Sequence, residues 1–242
     1  LVRRVLDRIR RWDVRTAAGV SVFAANSRFV AGRIRNFYDR SATVIYPPVD
    51  VEKFTPPAGP REEFYLAASR FVPYKKMDLI VEAFSRMPDR RLVVIGDGPQ
   101  RGAVRKAAGA NVTLLGYQDD DVLREHLRRA KAFVFAAEED FGILPVEAQA
   151  CGTPVIGYGR GGVAETVLDG RTGILFAEQS AACLMQAVAQ FEAQAGRFDP
   201  VVIRRHAETF NVPRFREEFS RLLQDSYEAD RKSTRLNSSH TI

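Results

Sequence analysis

Between residues 64 and 176 the chain alternates six short, nearly all-apolar runs with segments of helical period, a pattern few folds accept. The runs at 64–68, 92–95, 112–115, 132–136, 155–158 and 173–176 are mostly continuous rather than alternating. That is the pattern of strands in a parallel sheet covered on both faces. Helical period appears at 77–86, 101–108, 120–129, 144–150, 163–168, 181–191 and 214–230. The alternation predicts an α/β fold, a doubly wound parallel sheet of Rossmann-like type with ligands at the carboxyl ends of its strands.

Prolines at 47–48 and 56–57 bracket a stiff extended connector. Residues 1–50 therefore read as the remnant of another unit plus a crossover linker, and 51–212 as one complete domain. A C-terminal helix follows at 213–230. The stretch 231–242 is polar, lacks apolar periodicity and reads as a non-native tail. At the other end Val2, Val5, Leu6, Ile9 and Trp12 recur at helical spacing among five arginines. This suits a helix of a larger domain better than a membrane-surface helix.

The net charge of +6 is concentrated at the two ends. Residues 1–15 hold six Arg against two Asp, and 231–242 hold three cations and no acid, so the body between them is close to neutral. A nucleic-acid groove needs cations spread over a folded face, so no nucleic acid is expected as a partner. Two distant cysteines, Cys151 and Cys183, exclude a disulfide framework. No apolar run approaches the roughly 18 residues of a membrane span, and no secretory signal is visible. The expected location is the cytoplasm, with peripheral contact at the inner face of the membrane through the missing N-terminal domain.

The most informative segment is 136–156. A buried strand ends, Glu138, Glu139 and Asp140 follow, then Phe141 and Gly142, and a helix begins near Leu144. Gly142 permits close backbone approach, and free N–H groups at a helix start favour an anion. Glu139 and Glu147 could accept hydrogen bonds from hydroxyl-bearing groups. A capped helix with solvated acids would explain Asp140 but not the whole string.

This string resembles the Glu-x7-Glu motif of family-4 retaining glycosyltransferases, which have the two-domain GT-B fold. The match runs on through residues 147–156, close to the family's "E-A-x-A-x-G-x-P-V-I". The resemblance implies that Glu139 contacts the donor sugar and that Glu147 binds the nucleotide ribose. It also implies that backbone N–H groups of Phe141, Gly142 and Ile143 face the sugar and its phosphate. A second segment, 69–78, offers a forked guanidinium and a long ammonium after the first strand, which suits a diphosphate. It is similar to the family's "G-R-x-x-x-x-K-G", giving Arg70 and Lys75 that role. Ser69 and Lys76 stand where the family has glycines, so Lys76 competes with Lys75 for it. Gly96, Asp97 and Gly98 form a strand-end turn which, with Tyr117, lies beside the nucleoside in the family. Gly161, Gly162 and Glu165 look like its "G-G-x-x-E", with Glu165 read as a first-turn acid. The resemblance covers roughly residues 15–230 and is especially close to bacterial mannosyltransferases of O-antigen and exopolysaccharide synthesis.

Asp119, Asp120 and Asp121 contain a formal D-x-D, but they open a helix, where Asp caps. The three histidines, His126, His206 and His240, have no metal-ligand spacing. No metal and no other cofactor is expected. The reading is the donor half of a glycosyltransferase, with Glu139, Arg70 and Lys75 catalytic. The donor is a nucleoside diphosphate sugar such as GDP-mannose, and the acceptor is a glycan or lipid-linked. By itself the chain should hold a donor without positioning an acceptor. A GT-B sugar-nucleotide epimerase and a non-catalytic nucleotide-binding module are the alternatives.

Overall fold

The computed structural model describes residues 2–238. The chain divides into two units: one holds residues up to Pro47 together with those from Val212 onward, the other is Pro48–Asn211.

In the first unit, α1 (Val2–Ala17) leads to β1 (Ala24–Ala25), α2 (Arg28–Tyr38) and β2 (Thr43–Val44), with β1 and β2 parallel. Helix α2 starts where the Ser27 hydroxyl accepts from the Val30 N–H at 3.0 Å, as an N-cap should. The Tyr38 hydroxyl donates to Asp13 at 2.7 Å, tying α2 to α1. Val2, Val5, Leu6, Ile9 and Trp12 of α1 are exposed.

The second unit is built on six parallel strands: β3 (Tyr65–Ala68), β4 (Leu92–Ile95), β5 (Val112–Gly116), β6 (Ala132–Phe135), β7 (Val155–Tyr158) and β8 (Gly173–Phe176). Their order is β5-β4-β3-β6-β7-β8. Between them run α3 (Met77–Ser85), α4 (Arg101–Ala107), α5 (Asp120–Arg129), α6 (Ile143–Ala150) and α7 (Val163–Thr166), and after β8 come α8 (Ala181–Ala193) and α9 (Pro200–Ala207). Because side chains alternate along a strand, Tyr65, Ala67, Leu92, Val94, Val134 and Ile156 join one core with Phe84 of α3 and Leu184 of α8. Leu66, Val93, Phe133 and Val155 fill the other face and are equally buried, so these strands carry no polar alternation.

The first unit resumes with α10 (Val212–Ser238). Its Arg214 guanidinium donates to the carbonyls of Tyr46 at 2.7 Å and Pro47 at 3.3 Å. This helix runs past residue 230, where the sequence pattern ends. No Pro or Gly follows until the end of the chain, so nothing in the backbone stops it. Residues 239–242 of the expected tail, His240 among them, lie outside the described residues. The helix expected at 163–168 stops at Thr166 because Val167 turns extended, at φ −113° and ψ 122°. Helix α9 was not anticipated, although Asp199 before Pro200 is a start signal. The Asp199 carboxylate accepts from the Val201 N–H at 2.8 Å.

Candidate functional site

The strand order fixes where a ligand can bind. The chain winds outward from β3 through β4 to β5, then returns to lay β6 against β3 and winds the other way. The order reverses between β3 and β6, and in open α/β sheets the crevice opens beyond the carboxyl ends of such a pair. Arg70 and Lys75 follow β3, and Glu139 follows β6. The topology therefore brings both predicted segments to this crevice.

After β3 the chain passes Arg70, makes a turn of 3-10 helix at Pro73–Lys75 and enters α3. Lys76 makes the junction in a left-handed conformation, at φ 55° and ψ 35°. That is where the resembling motif has glycine, and Lys76 is one of two non-glycine residues with positive φ among those described. Lys75 forms an ion pair with Glu139, both side chains being mostly buried, and its ammonium lies 5.3 Å from the Tyr74 ring centre. Arg70 is exposed, and no carboxylate pairs with it among the described residues.

The Glu139 segment rests on the Gly161–Gly162 turn. The Gly162 N–H donates to the Glu139 carbonyl at 2.8 Å. A Cβ on Gly161 would lie 2.3 Å from that carbonyl oxygen, and one on Gly162 would lie 2.2 Å from the Phe141 Cα. Only glycines allow this approach, so they act as a backbone support. Phe141 is buried, with its ring against Phe210 at 5.8 Å between centroids. Gly142, at φ 84°, starts α6, whose first residue Ile143 is 48% exposed. The amino end of α6 thus opens beside Glu139.

Beside this lies a cavity of about 440 Å³. Arg70, Gly96, Asp97 and Tyr117 of the predicted residues line it, joined by Gln118, Asp120, Leu123 and Leu144. Gly96 is held against the Arg70 segment: a Cβ there would sit 1.9 Å from the Ser69 carbonyl oxygen. The Phe71 N–H donates to the Asp97 carbonyl at 2.8 Å. The Asp97 carboxylate is engaged in its own turn, accepting from the Gly98 N–H at 2.7 Å and pairing with Arg101 at 3.3 Å. Asp97 therefore shapes the loop, while Tyr117, 80% exposed, offers a free ring face. Glu147 on α6 has its pKa raised from 4.5 to about 7, first by burial and then by the charge of Asp120, against the opposing effect of Lys53. A carboxyl so placed can both donate to and accept from hydroxyls near neutral pH.

Asp119 caps α5, its carboxylate accepting from the Val122 N–H at 2.9 Å. Asp120 pairs with Lys53 at 3.4 Å and Asp121 with Arg124 at 2.9 Å. Gln118 and Leu123 gave no motif, since a cavity wall is assembled from residues whose spacing carries no period. The polar residue after Gly116 and Tyr117 was the available signal for Gln118.

The fold is a doubly wound α/β unit on a six-stranded parallel sheet, similar to that of GT-B glycosyltransferases. Residues 48–200 match the family described as Glycosyl transferases group 1, and the chain belongs to that family. The D-inositol 3-phosphate glycosyltransferase of Mycobacteroides abscessus is 35% identical, over 54% of this chain and 34% of that protein. The GDP-mannose-dependent alpha-(1-6)-phosphatidylinositol monomannoside mannosyltransferase of Mycolicibacterium smegmatis is 32% identical, over 61% of this chain and 46% of that protein. This chain therefore spans less than half the length of these relatives. Among solved structures, sucrose-phosphate synthase from Thermosynechococcus elongatus has a TM-score of 0.75 at 26% identity, over 85% of this chain and 58% of that one. Anabaena HepE in complex with UDP and glucose has a TM-score of 0.74 at 20% identity, over 85% and 63%.

Proposed function

We propose that this chain supplies the donor site of a retaining glycosyltransferase that takes a sugar, mannose, from GDP-mannose and passes it to a glycan or lipid-linked acceptor. The observation that carries the reading is the meeting of the Arg70–Lys75 segment with Glu139 at the strand-order reversal. The mannose assignment draws on the GDP-mannose-dependent relative.

The chemistry follows from charge. As the glycosidic bond breaks, the leaving diphosphate gains negative charge, and preorganised donors and cations aimed at it lower the barrier. The Arg70 guanidinium, the Lys75 ammonium and the amino end of α6 fill this role without a metal or other cofactor. Glu139 accepts hydrogen bonds from the sugar hydroxyls, and Glu147 binds the ribose. The acceptor attacks on the face the diphosphate leaves, so no carboxylate forms a covalent intermediate. The acceptor itself is held by sequence beyond this chain, in a protein working at the inner face of the membrane.

The test uses the full gene product carrying this chain, GDP-mannose and a panel of lipid-linked and oligosaccharide acceptors. An α-mannoside product, read by proton–carbon coupling at the anomeric centre, is the expected result. A β-mannoside, or epimerisation of the sugar nucleotide with no transfer, contradicts it.

A further inference from the structure

The side chain of Arg61 is half-buried, and burial lowers its pKa to about 10. Among the described residues no carboxylate pairs with it. It donates to the Arg128 carbonyl at 2.6 Å, the Ala130 carbonyl at 3.3 Å and the Thr153 hydroxyl at 2.5 Å through one nitrogen, and to the Cys151 carbonyl at 2.7 Å through the other. Thr153, fully buried, donates onward to the Leu127 carbonyl at 2.5 Å. Leu127, Arg128 and Ala130 are the carboxyl end of α5, and Cys151 is the C-cap of α6. The last carbonyls of a helix have no partner within it and carry the negative end of its dipole. One cation thus compensates two helix ends at once, and its burial is tolerated because those dipoles replace an anion.

The opposite ends of the same two helices frame the cavity: α5 contributes Asp120 and Leu123, and α6 contributes Leu144. Helices are stiff over such lengths, ten and eight residues, so a spacing fixed at one end is carried to the other. We propose that Arg61 is a positioning residue for the nucleoside end of the donor site, holding α5 and α6 at the separation the cavity needs. This rests on the donor-site reading above. Of the diphosphate groups, Arg70 and Lys75 follow β3 and do not depend on this spacing, and only the amino end of α6 does, so a diphosphate alone should respond less than a nucleotide.

The experiment compares GDP and inorganic pyrophosphate binding to the 242-residue chain by calorimetry, in wild type, Arg61→Lys and Thr153→Val. Lysine keeps the charge but loses the planar fork that reaches both helices. Thr153→Val is the milder variant, removing the hydroxyl that accepts from Arg61 and donates to the Leu127 carbonyl and leaving the guanidinium's own carbonyl bonds. Arg61→Lys should lose about tenfold in GDP affinity, the scale of about one hydrogen bond, with a clearly smaller loss for pyrophosphate. Thr153→Val should lose less in the same direction. Equal losses for both ligands, or no loss in a folded variant, overturn the proposal. Amide exchange provides a readout free of ligand: in Arg61→Lys, residues 119–123 and 143–147 should exchange faster. If wild type binds neither ligand, the donor reading fails, and exchange alone decides the role of Arg61, unchanged rates refuting it.

Discussion

Lys75 and Glu139, 64 residues apart in sequence, close an ion pair across the crevice between the segments that follow β3 and β6. Each neutralises the charge the other would present to a ligand. On the donor-site reading proposed above, a diphosphate would draw Lys75 away and leave the Glu139 carboxylate free to face a sugar.

Removing the Glu139 charge should therefore separate the two halves of a donor. Glu139→Gln is expected to tighten GDP binding by about 1 kcal/mol, the scale of a partly screened ion pair. GDP-mannose should not gain in the same way, because its sugar loses an acceptor. Calorimetry with both ligands checks this, and weaker GDP binding would mean that Glu139 holds Lys75 in place rather than competing for it.

Glu147 makes stability depend on pH. Its folded pKa, about 7, lies above the ordinary 4.5, so the native state holds the proton more tightly than the unfolded chain does. Stability from this group is retained below pH 4.5 and lost as pH rises through 7. At about 1.36 kcal/mol per unit, the loss amounts to up to about 3 kcal/mol. Glu147→Gln should accordingly raise the melting temperature at pH 8 and change it little at pH 4.5. An effect of equal size at both values would remove burial of the carboxylate as its cause.

Lys76 sits in the left-handed region, which costs a side-chain-bearing residue roughly 1–2 kcal/mol. Lys76→Gly should raise stability by about 0.5–1 kcal/mol, part of the relief being offset by glycine's greater freedom when unfolded. GDP affinity should stay as in wild type, whereas Lys75→Ala should reduce it. A large loss of GDP affinity in Lys76→Gly would move the diphosphate contact from Lys75 to Lys76.

Much of this was legible in the sequence. The four inner strands β3, β4, β6 and β7 announced themselves because both faces are covered, so runs such as Leu92–Ile95 have no polar position. The Glu139 and Arg70 segments could be placed at the strand-order reversal because each directly follows a strand that an apolar run marks. What could not be read depends on contacts between distant residues. Arg61 looks like any linker cation until the ends of α5 and α6 meet it, and the bonds of Asp97 to Gly98 and Arg101 leave no mark in the spacing. The pairing of Lys75 rather than Lys76 with Glu139 is decided by the backbone turn at Lys76, which spacing alone does not reveal.

The Asp119–Asp121 run should matter to stability rather than to chemistry. Asn caps a helix as well as Asp does, so Asp119→Asn with Asp121→Asn should cost less than about 1 kcal/mol, while Asp119→Ala costs about that much. Sugar transfer by the full gene product should persist in EDTA. Complete loss of transfer in EDTA, restored by manganese, would assign the run to a metal.

The central claim is that the crevice between β3 and β6 binds a nucleoside diphosphate through Arg70. Calorimetric titration of the 242-residue chain with GDP, in wild type and Arg70→Ala, tests it most directly. The account predicts saturable binding by wild type, weakened in the variant by about 1.5–3 kcal/mol, the scale of a hydrogen bond to a charged group. Equal affinity in the two proteins would remove Arg70 from the site, and no binding by folded wild type would contradict the account itself.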